Sequence, residues 1–381
     1  MGRYQWGDYM SIRCQSFIKA MEQWAPLSYA EEWDNPGLQV GDRQKEIHKV
    51  LVALTPDEAA AEEAVRIGAD MLLTHHPLIF KPVKQISSDN ALGRTLLKLI
   101  RNDINFYCAH TNLDIAAGGV NDVLAAALGL QQLAPLADIA REICYKVVVY
   151  VPAGYEESVR QVMCQAGAGF VGNYSNCTFQ VRGMGTFLPT EGCKPFLGEL
   201  GRMEYADEYR LETIVPQKAL TAVIQEMEKV HPYEEVAYDV FRLENGGAKR
   251  GIGRVGSLAQ PMSFAEFLTF TGKQLQCPHL AYQGALEKQI QTVALCGGSG
   301  VSYLRAAQKA GADVYVTGDV KYHDAQAASE LGLCVVDAGH FGTERLIVQT
   351  LAEFAEKQGV EAVVFEEEDY IQHWHNDVAK L

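Results

Sequence analysis

Arg66-Ile67-Gly68-Ala69-Asp70-Met71-Leu72-Leu73-Thr74-His75-His76-Pro77 is the stretch that decides how this chain folds. Gly68 closes a helix, and the apolar run Met71-Leu72-Leu73 then reads as a strand. Adjacent side chains on a strand point to opposite faces, so His75 and His76 cannot share a site while the backbone stays extended. Pro77 ends the ladder and forces a turn, which lets both imidazoles swing toward the strand's carboxyl end. Open α/β sheets bind their ligands at that edge. A pair of histidines in an ordinary surface loop is the plain alternative, and only the rest of the chain decides between them.

Working outward, strands and helices alternate. Residues 49–55 form a strand, and Pro56-Asp57-Glu58 opens a helix through Ile67 with acids at its positive end. A helix over 91–102, a strand over 104–108 and a helix over 120–128 ended by Gly129 follow. The rhythm returns after about residue 250, with strands at 291–296, 313–317 and 333–337 and helices at 302–310, 322–330 and 342–358. Such alternation implies crossover units and a largely parallel or mixed sheet.

The two segments resemble each other. Residues 66–74 align with Lys309-Ala310-Gly311-Ala312-Asp313-Val314-Tyr315-Val316-Thr317. Ala109-His110-Thr111-Asn112-Leu113-Asp114 likewise aligns with Gly339-His340-Phe341-Gly342-Thr343-Glu344, so each half carries a strand and then His-x-x-x-carboxylate. Between them the order changes to strand 145–151, helix 155–166, strands 176–187 and 208–215, helix 217–229 and strand 236–242. This βαββαβ order is ferredoxin-like. The expected organisation is an α/β protein with related halves at 1–138 and 249–381 facing one cleft, and an inserted α+β domain at 139–248.

Composition sets outer bounds. The chain has 381 residues, 48% hydrophobic and 21% charged, as in ordinary globular proteins. A net charge of -15 argues against nucleic-acid binding and requires local positive charge for any anionic substrate. Nine scattered cysteines without a Cys-x-x-Cys read as reduced thiols of a cytoplasmic protein. The opening residues lack the long apolar segment of a signal peptide, and no run approaches membrane-spanning length. Residues 366–369 form an acidic run, and the nearby His373 and His375 carry little weight as ligands.

His340 and Glu344 stand four apart after a strand, on one helical face. With His75, His76 and Asp114 they supply three imidazoles and two carboxylates. That set suits two divalent ions with a bridging carboxylate, and nitrogen–oxygen ligands without thiolate fit Zn, Fe, Mn or Co. An ordinary helix N-terminus would also place an acid at Glu344. Two ions acidify a shared water, so hydrolysis of a small molecule is the expected reaction. His110, His323 and Asp324 are candidates for proton transfer or for orienting the ligands, although His323 equally suits a helix start. Cys296-Gly297-Gly298-Ser299-Gly300 reads as a tight turn; it lacks the lysine of a nucleotide-binding P-loop.

Residues 33–41 (WDNPGLQVG), THHPLIF, AHTNLD, CGGSG, TGDVKYHDA and DAGHFGTE together resemble the NIF-three-like family, homologues of type 2 of GTP cyclohydrolase I. His231-Pro232-Tyr233-Glu234-Glu235-Val236 is similar to the CutA/PII-like insert of the longer bacterial members. The resemblance implies His75, His76, Asp114, His340 and Glu344 as dinuclear ligands and a toroidal homohexamer. It also implies a nucleotide substrate: hydroxide attack at C8 of GTP, ring opening and formate release. A phosphoesterase, or a metal-holding regulator with a sensing insert, is the alternative.

Overall fold

The computed structural model describes residues 11–141, 143–247 and 249–373; the opening ten residues and His375 lie outside the described residues. The chain divides into two compact units, Met1–Ile139 with Gly251–Leu381, and Ala140–Arg250. Both mix helices and strands.

The first unit contains two large sheets and a small one in which Ile12–Arg13 pairs with Glu46–Ile47. One large sheet has five strands in the order Glu361–Val364, Lys49–Ala53, Met71–Thr74, Asn105–Cys108 and Gly37–Val40. All its pairings are parallel except that of the last strand. Met71–Thr74 is the central strand and every residue of it is buried, the pattern of a parallel strand covered on both faces. Helix Glu58–Arg66 precedes it, started by Asp57, whose carboxylate accepts from the Ala60 N–H at 2.7 Å.

The second sheet has six strands in the order Ala281–Gln283, Cys334–Asp337, Val314–Thr317, Gln289–Leu295, Lys249–Ser263 and Gln131–Arg141. Its central pairings are again parallel. The sheets exchange their ends: Glu361–Val364 pairs with Lys49–Ala53 in the first sheet, and Gln131–Arg141 lies at the edge of the second. Helix Ile347–Lys357 follows the same exchange, burying Ile347, Leu351 and Ala355 in a core shared with Phe17, Val50 and Met71. The expected division at 138 and 249 therefore does not separate the two sheets.

Two further differences from expectation concern this unit. The helix expected at 342–358 is two helices, His340–Glu344 and Ile347–Lys357. At the break, Arg345 donates to the Leu275 carbonyl at 2.7 Å, just beyond helix Phe264–Gln274. That leaves Glu344 on its own short turn. Asp114 also rides a short helix, Thr111–Ile115, directly after strand Asn105–Cys108.

The unit Ala140–Arg250 has a four-stranded antiparallel sheet in the order Tyr238–Leu243, Cys144–Pro152, Glu204–Pro216 and Thr178–Phe187. Helices Glu156–Gln165 and Leu220–Val230 bury Val159, Met163, Val223 and Met227 against Val147, Val149, Leu211 and Val215. Among the described residues, no helix is long and apolar enough to cross a membrane. None of the nine cysteines is paired in a disulfide.

Candidate metal centre

His75 and His76 leave the carboxyl end of the central strand of the first sheet. The His76 N–H still donates to the Leu54 carbonyl at 2.9 Å, so the backbone stays tied to the neighbouring strand while the side chains turn. Asp114 comes from the next strand over, through the Thr111–Ile115 helix. His340 and Glu344 come from the second sheet, after strand Cys334–Asp337. The two sheets present their carboxyl ends to one another, and all five side chains gather there.

Each imidazole is held by its Nδ1. His75 Nδ1 bonds the Ala109 carbonyl at 2.8 Å, and His340 Nδ1 bonds Asp319 Oδ2 at 2.8 Å. His76 Nδ1 lies 3.1 Å from the Thr55 hydroxyl, and His110 Nδ1 lies 2.8 Å from Asp34 Oδ1. A carbonyl or carboxylate can only accept, so in the neutral rings of His75, His340 and His110 the proton sits on Nδ1. The Nε2 lone pair then faces away, as in histidines that bind metals.

Three of these Nε2 atoms meet at Glu344. His76 and His340 stand 2.9 and 3.0 Å from Oε2, and His75 stands 3.8 Å from Oε1 and 3.7 Å from Asp114 Oδ1. His75, His76 and Glu344 each offer a ligand atom within 4.8 Å of the others, close enough to hold a metal ion. His75 Nε2 and Asp114 Oδ1 are buried without any hydrogen-bond partner. Leaving one such group unpaired costs about 1–3 kcal/mol. A cation satisfies an imidazole lone pair and a carboxylate oxygen together, so the donor set fits a divalent metal.

The turn at Gly297-Gly298-Ser299 packs onto this cluster. A Cβ on Gly298 would come within 2.2 Å of Glu344 Oε1, and φ is +62° there, a conformation that side chains resist. The Gly298 N–H is meanwhile held by the Thr343 hydroxyl at 2.9 Å. The glycine run thus serves the carboxylate beside it.

The imidazoles and carboxylates of the cluster shift one another's acidity. Burial resists charge on Glu344, but the imidazoles of His340, His75 and His76 hold it well below the usual carboxylate range. Burial pulls His75 down, yet Glu344 and Asp114 outweigh it and raise His75 to about 9. The hydrogen bond that His340 donates to Glu344, with Asp319 behind it and burial opposing, pushes His340 up to about 10. His76 moves the other way, lowered by burial and by its two imidazole neighbours. Burial raises Asp114.

Of the proposed proton carriers, His110 lies beside the cluster, its ring 5.3 Å from that of His75. Its partner Asp34 is enclosed, and although burial resists, hydrogen bonds from His110 and Thr111 hold that carboxyl at about 2. His323 is exposed; its contacts run to Tyr322 and Gln326 of its own helix. Asp324 accepts from the Lys321 N–H and caps that helix. Sequence reasoning missed Asp34, Asp319 and Thr55, which orient the rings. A signal existed for Asp319: carried two residues further, the internal repeat sets Thr317-Gly318-Asp319 opposite Thr74-His75-His76. Beside His340 opens a cavity of about 920 Å³, lined among others by Ser299, Asp319, Lys321 and Arg345.

Comparison with known proteins gives a consistent picture. The family model described as Duf34/NIF3 (NGG1p interacting factor 3) matches residues 12–370. A Halalkalibacterium halodurans protein named GTP cyclohydrolase 1 type 2 homolog is 45% identical over 343 residues, 90% of this chain and 92% of that protein. The crystal structure of a Bacillus cereus protein related to NIF3 matches with a TM-score of 0.88 at 40% identity, covering 97% of this chain and 100% of that one. That of Staphylococcus aureus protein SA1388 matches at 0.76 and 27% identity, covering 95% and 99%.

Proposed function

Because the chain belongs to the Duf34/NIF3 (NGG1p interacting factor 3) family, we propose that it is a hydrolase in which His75, His76, Asp114, His340 and Glu344 would hold two divalent metal ions. The observation that carries this reading is the convergence of three imidazole Nε2 atoms on one buried carboxylate, with His75 Nε2 and Asp114 Oδ1 unpaired beside it. Glu344 Oε1 faces His75, with Asp114 next to it, and Oε2 faces His76 and His340. Bound there, Zn, Fe, Mn or Co would supply Lewis acidity and lower the pKa of a shared water to about 7.

The chain's own residues do the rest. Asp319, the Ala109 carbonyl and Thr55 aim the rings, so the ligand atoms need little rearrangement. Asp34 holds His110 by Nδ1, leaving Nε2 as the atom that takes or gives a proton at the edge of the cluster. The 920 Å³ cavity is of a size that admits a small molecule, and its lining mixes the cations Lys321 and Arg345 with the carboxylates of Asp319, Asp324, Asp337 and Asp369. The name of the Halalkalibacterium relative supports GTP as substrate, opened at the purine ring with loss of formate.

We read the Ala140–Arg250 unit as a ferredoxin-like insert of the CutA/PII-like kind, supported by its strand order, and the whole as a cytoplasmic homohexamer. The deciding experiment incubates the metal-loaded protein with GTP and follows formate and pterin fluorescence. Product that disappears in Asp114→Ala supports the cyclohydrolase reading. Release of phosphate from simple esters, with no formate from GTP, would reassign the site to phosphoester hydrolysis.

A further inference from the structure

A second cavity, of about 430 Å³, lies wholly within the Ala140–Arg250 unit. Its floor is the sheet face turned away from the helices. Leu211 and Val215 pack into the helix-covered core, so Glu208, of opposite parity on the same strand, points to the other side. Glu208 is nonetheless buried, with 7% of its surface exposed. The segment 231–237 and the loop 189–197 form the walls, tied by the Lys194 N–H donating to Glu234 Oε1 at 2.6 Å.

The carboxylates and aromatic rings lining this space suit a positive charge on an organic body. Tyr233 donates its hydroxyl to Glu208 Oε1 at 2.8 Å, and its ring centroid lies 6.1 Å from Phe187 and 6.0 Å from Phe196. Glu234 and Glu235 add two carboxylates, and no lysine or arginine is among the described lining residues. Gly185 gives Glu208 its place: a Cβ there would lie 1.9 Å from Oε2. An anion is excluded by the carboxylates. A metal lacks nitrogen ligands, because His231 commits Nε2 to the Tyr150 carbonyl at 3.0 Å and Nδ1 to the Tyr233 N–H at 3.1 Å. A buried carboxylate with one neutral donor gains most from a cation, and aromatic rings attract one as well.

We propose that this cavity binds a small organic ammonium ion, its charge seated between Glu208 and the rings of Phe187, Phe196 and Tyr233. The apolar part of the ligand rests along the 189–197 loop. The site is independent of the metal reading and absorbs the His231-Pro232-Tyr233-Glu234-Glu235 segment, which the metal centre does not use.

Choline tests it, with 3,3-dimethyl-1-butanol as a probe of the same shape without the charge. Calorimetry on the full chain is expected to show choline binding and at least about tenfold weaker binding of the alcohol. Glu208→Gln is expected to weaken choline by about tenfold or more, and Phe196→Ala by several-fold, with metal content unchanged in both. Equal affinity for the two probes, no choline binding up to about 10 mM, or undiminished binding by folded Glu208→Gln would each overturn the proposal. If circular dichroism shows that Glu208→Gln does not fold, Phe196→Ala decides. Phe196 is 46% exposed on a loop, so its truncation spares the core, and unchanged choline affinity there rejects the site.

Discussion

Glu344 and Glu208 are both buried, and both lie on a glycine whose Cβ would collide with a carboxylate oxygen, Gly298 at 2.2 Å and Gly185 at 1.9 Å. Their surroundings differ. Imidazoles with Nδ1 already committed turn their Nε2 atoms on Glu344. Around Glu208 stands a phenol, with two phenyl rings lining the same cavity, and the one histidine nearby has both nitrogens occupied. Burial with a glycine floor positions a carboxylate; the lone pairs or π-faces around it select which cation is held. That distinction is what experiments should try to break.

The largest expected effect is from Glu344→Gln. Metal content measured by plasma emission falls to background while choline binding is unchanged; retained metal would end the assignment of Glu344 as a ligand. Asp319→Asn removes a partner of His340 rather than a ligand, so metal affinity should fall by about 10–100-fold with the fold intact. An unaltered affinity would make the Asp319–His340 pair merely structural.

Acidity separates the two carboxylates further. His75 and His340 are raised to about 9 and about 10, above the ordinary histidine value of about 6.5. Protonation of these rings therefore stabilises the metal-free protein fully below about pH 6.5, and that stability is lost as pH rises through 9 to 10. Metal needs the same nitrogens unprotonated, so affinity should climb about tenfold per pH unit for each proton displaced. The melting temperature of chelator-treated protein should fall between pH 7 and 10, and its gap from the metal-loaded form should widen. A pH-independent gap would refute proton competition at these rings. The smallest effect is expected from Tyr233→Phe, which keeps the ring but removes the hydroxyl on Glu208; choline affinity should change by only a few-fold, read by calorimetry.

Much of the site was legible along the chain. The repeat of strand and His-x-x-x-carboxylate marked His110, Asp114, His340 and Glu344, and the doublet before Pro77 marked His75 and His76. The structure brings five of these to one point and sets His110 beside them. His323 looked equivalent because it too follows a strand end, but its contacts stay on its own helix. Seven of the described strands escaped notice, and Gln131–Arg141 and Lys249–Ser263 are the longest of them. The first contains Pro135 and is half-exposed at a sheet edge, so neither an apolar run nor clean alternation announces it.

Residue type and spacing alone determined the crossover α/β rhythm, the breaks at Gly68 and Pro77, and the chemistry of the donors, because these follow from local sterics and side-chain acidity. Tertiary structure alone decided that Glu344 reaches across to His76, 268 positions away, and that Glu361–Val364 joins the first sheet. Contacts so distant depend on how sheets pair and cores close, and no local pattern in the chain records that outcome.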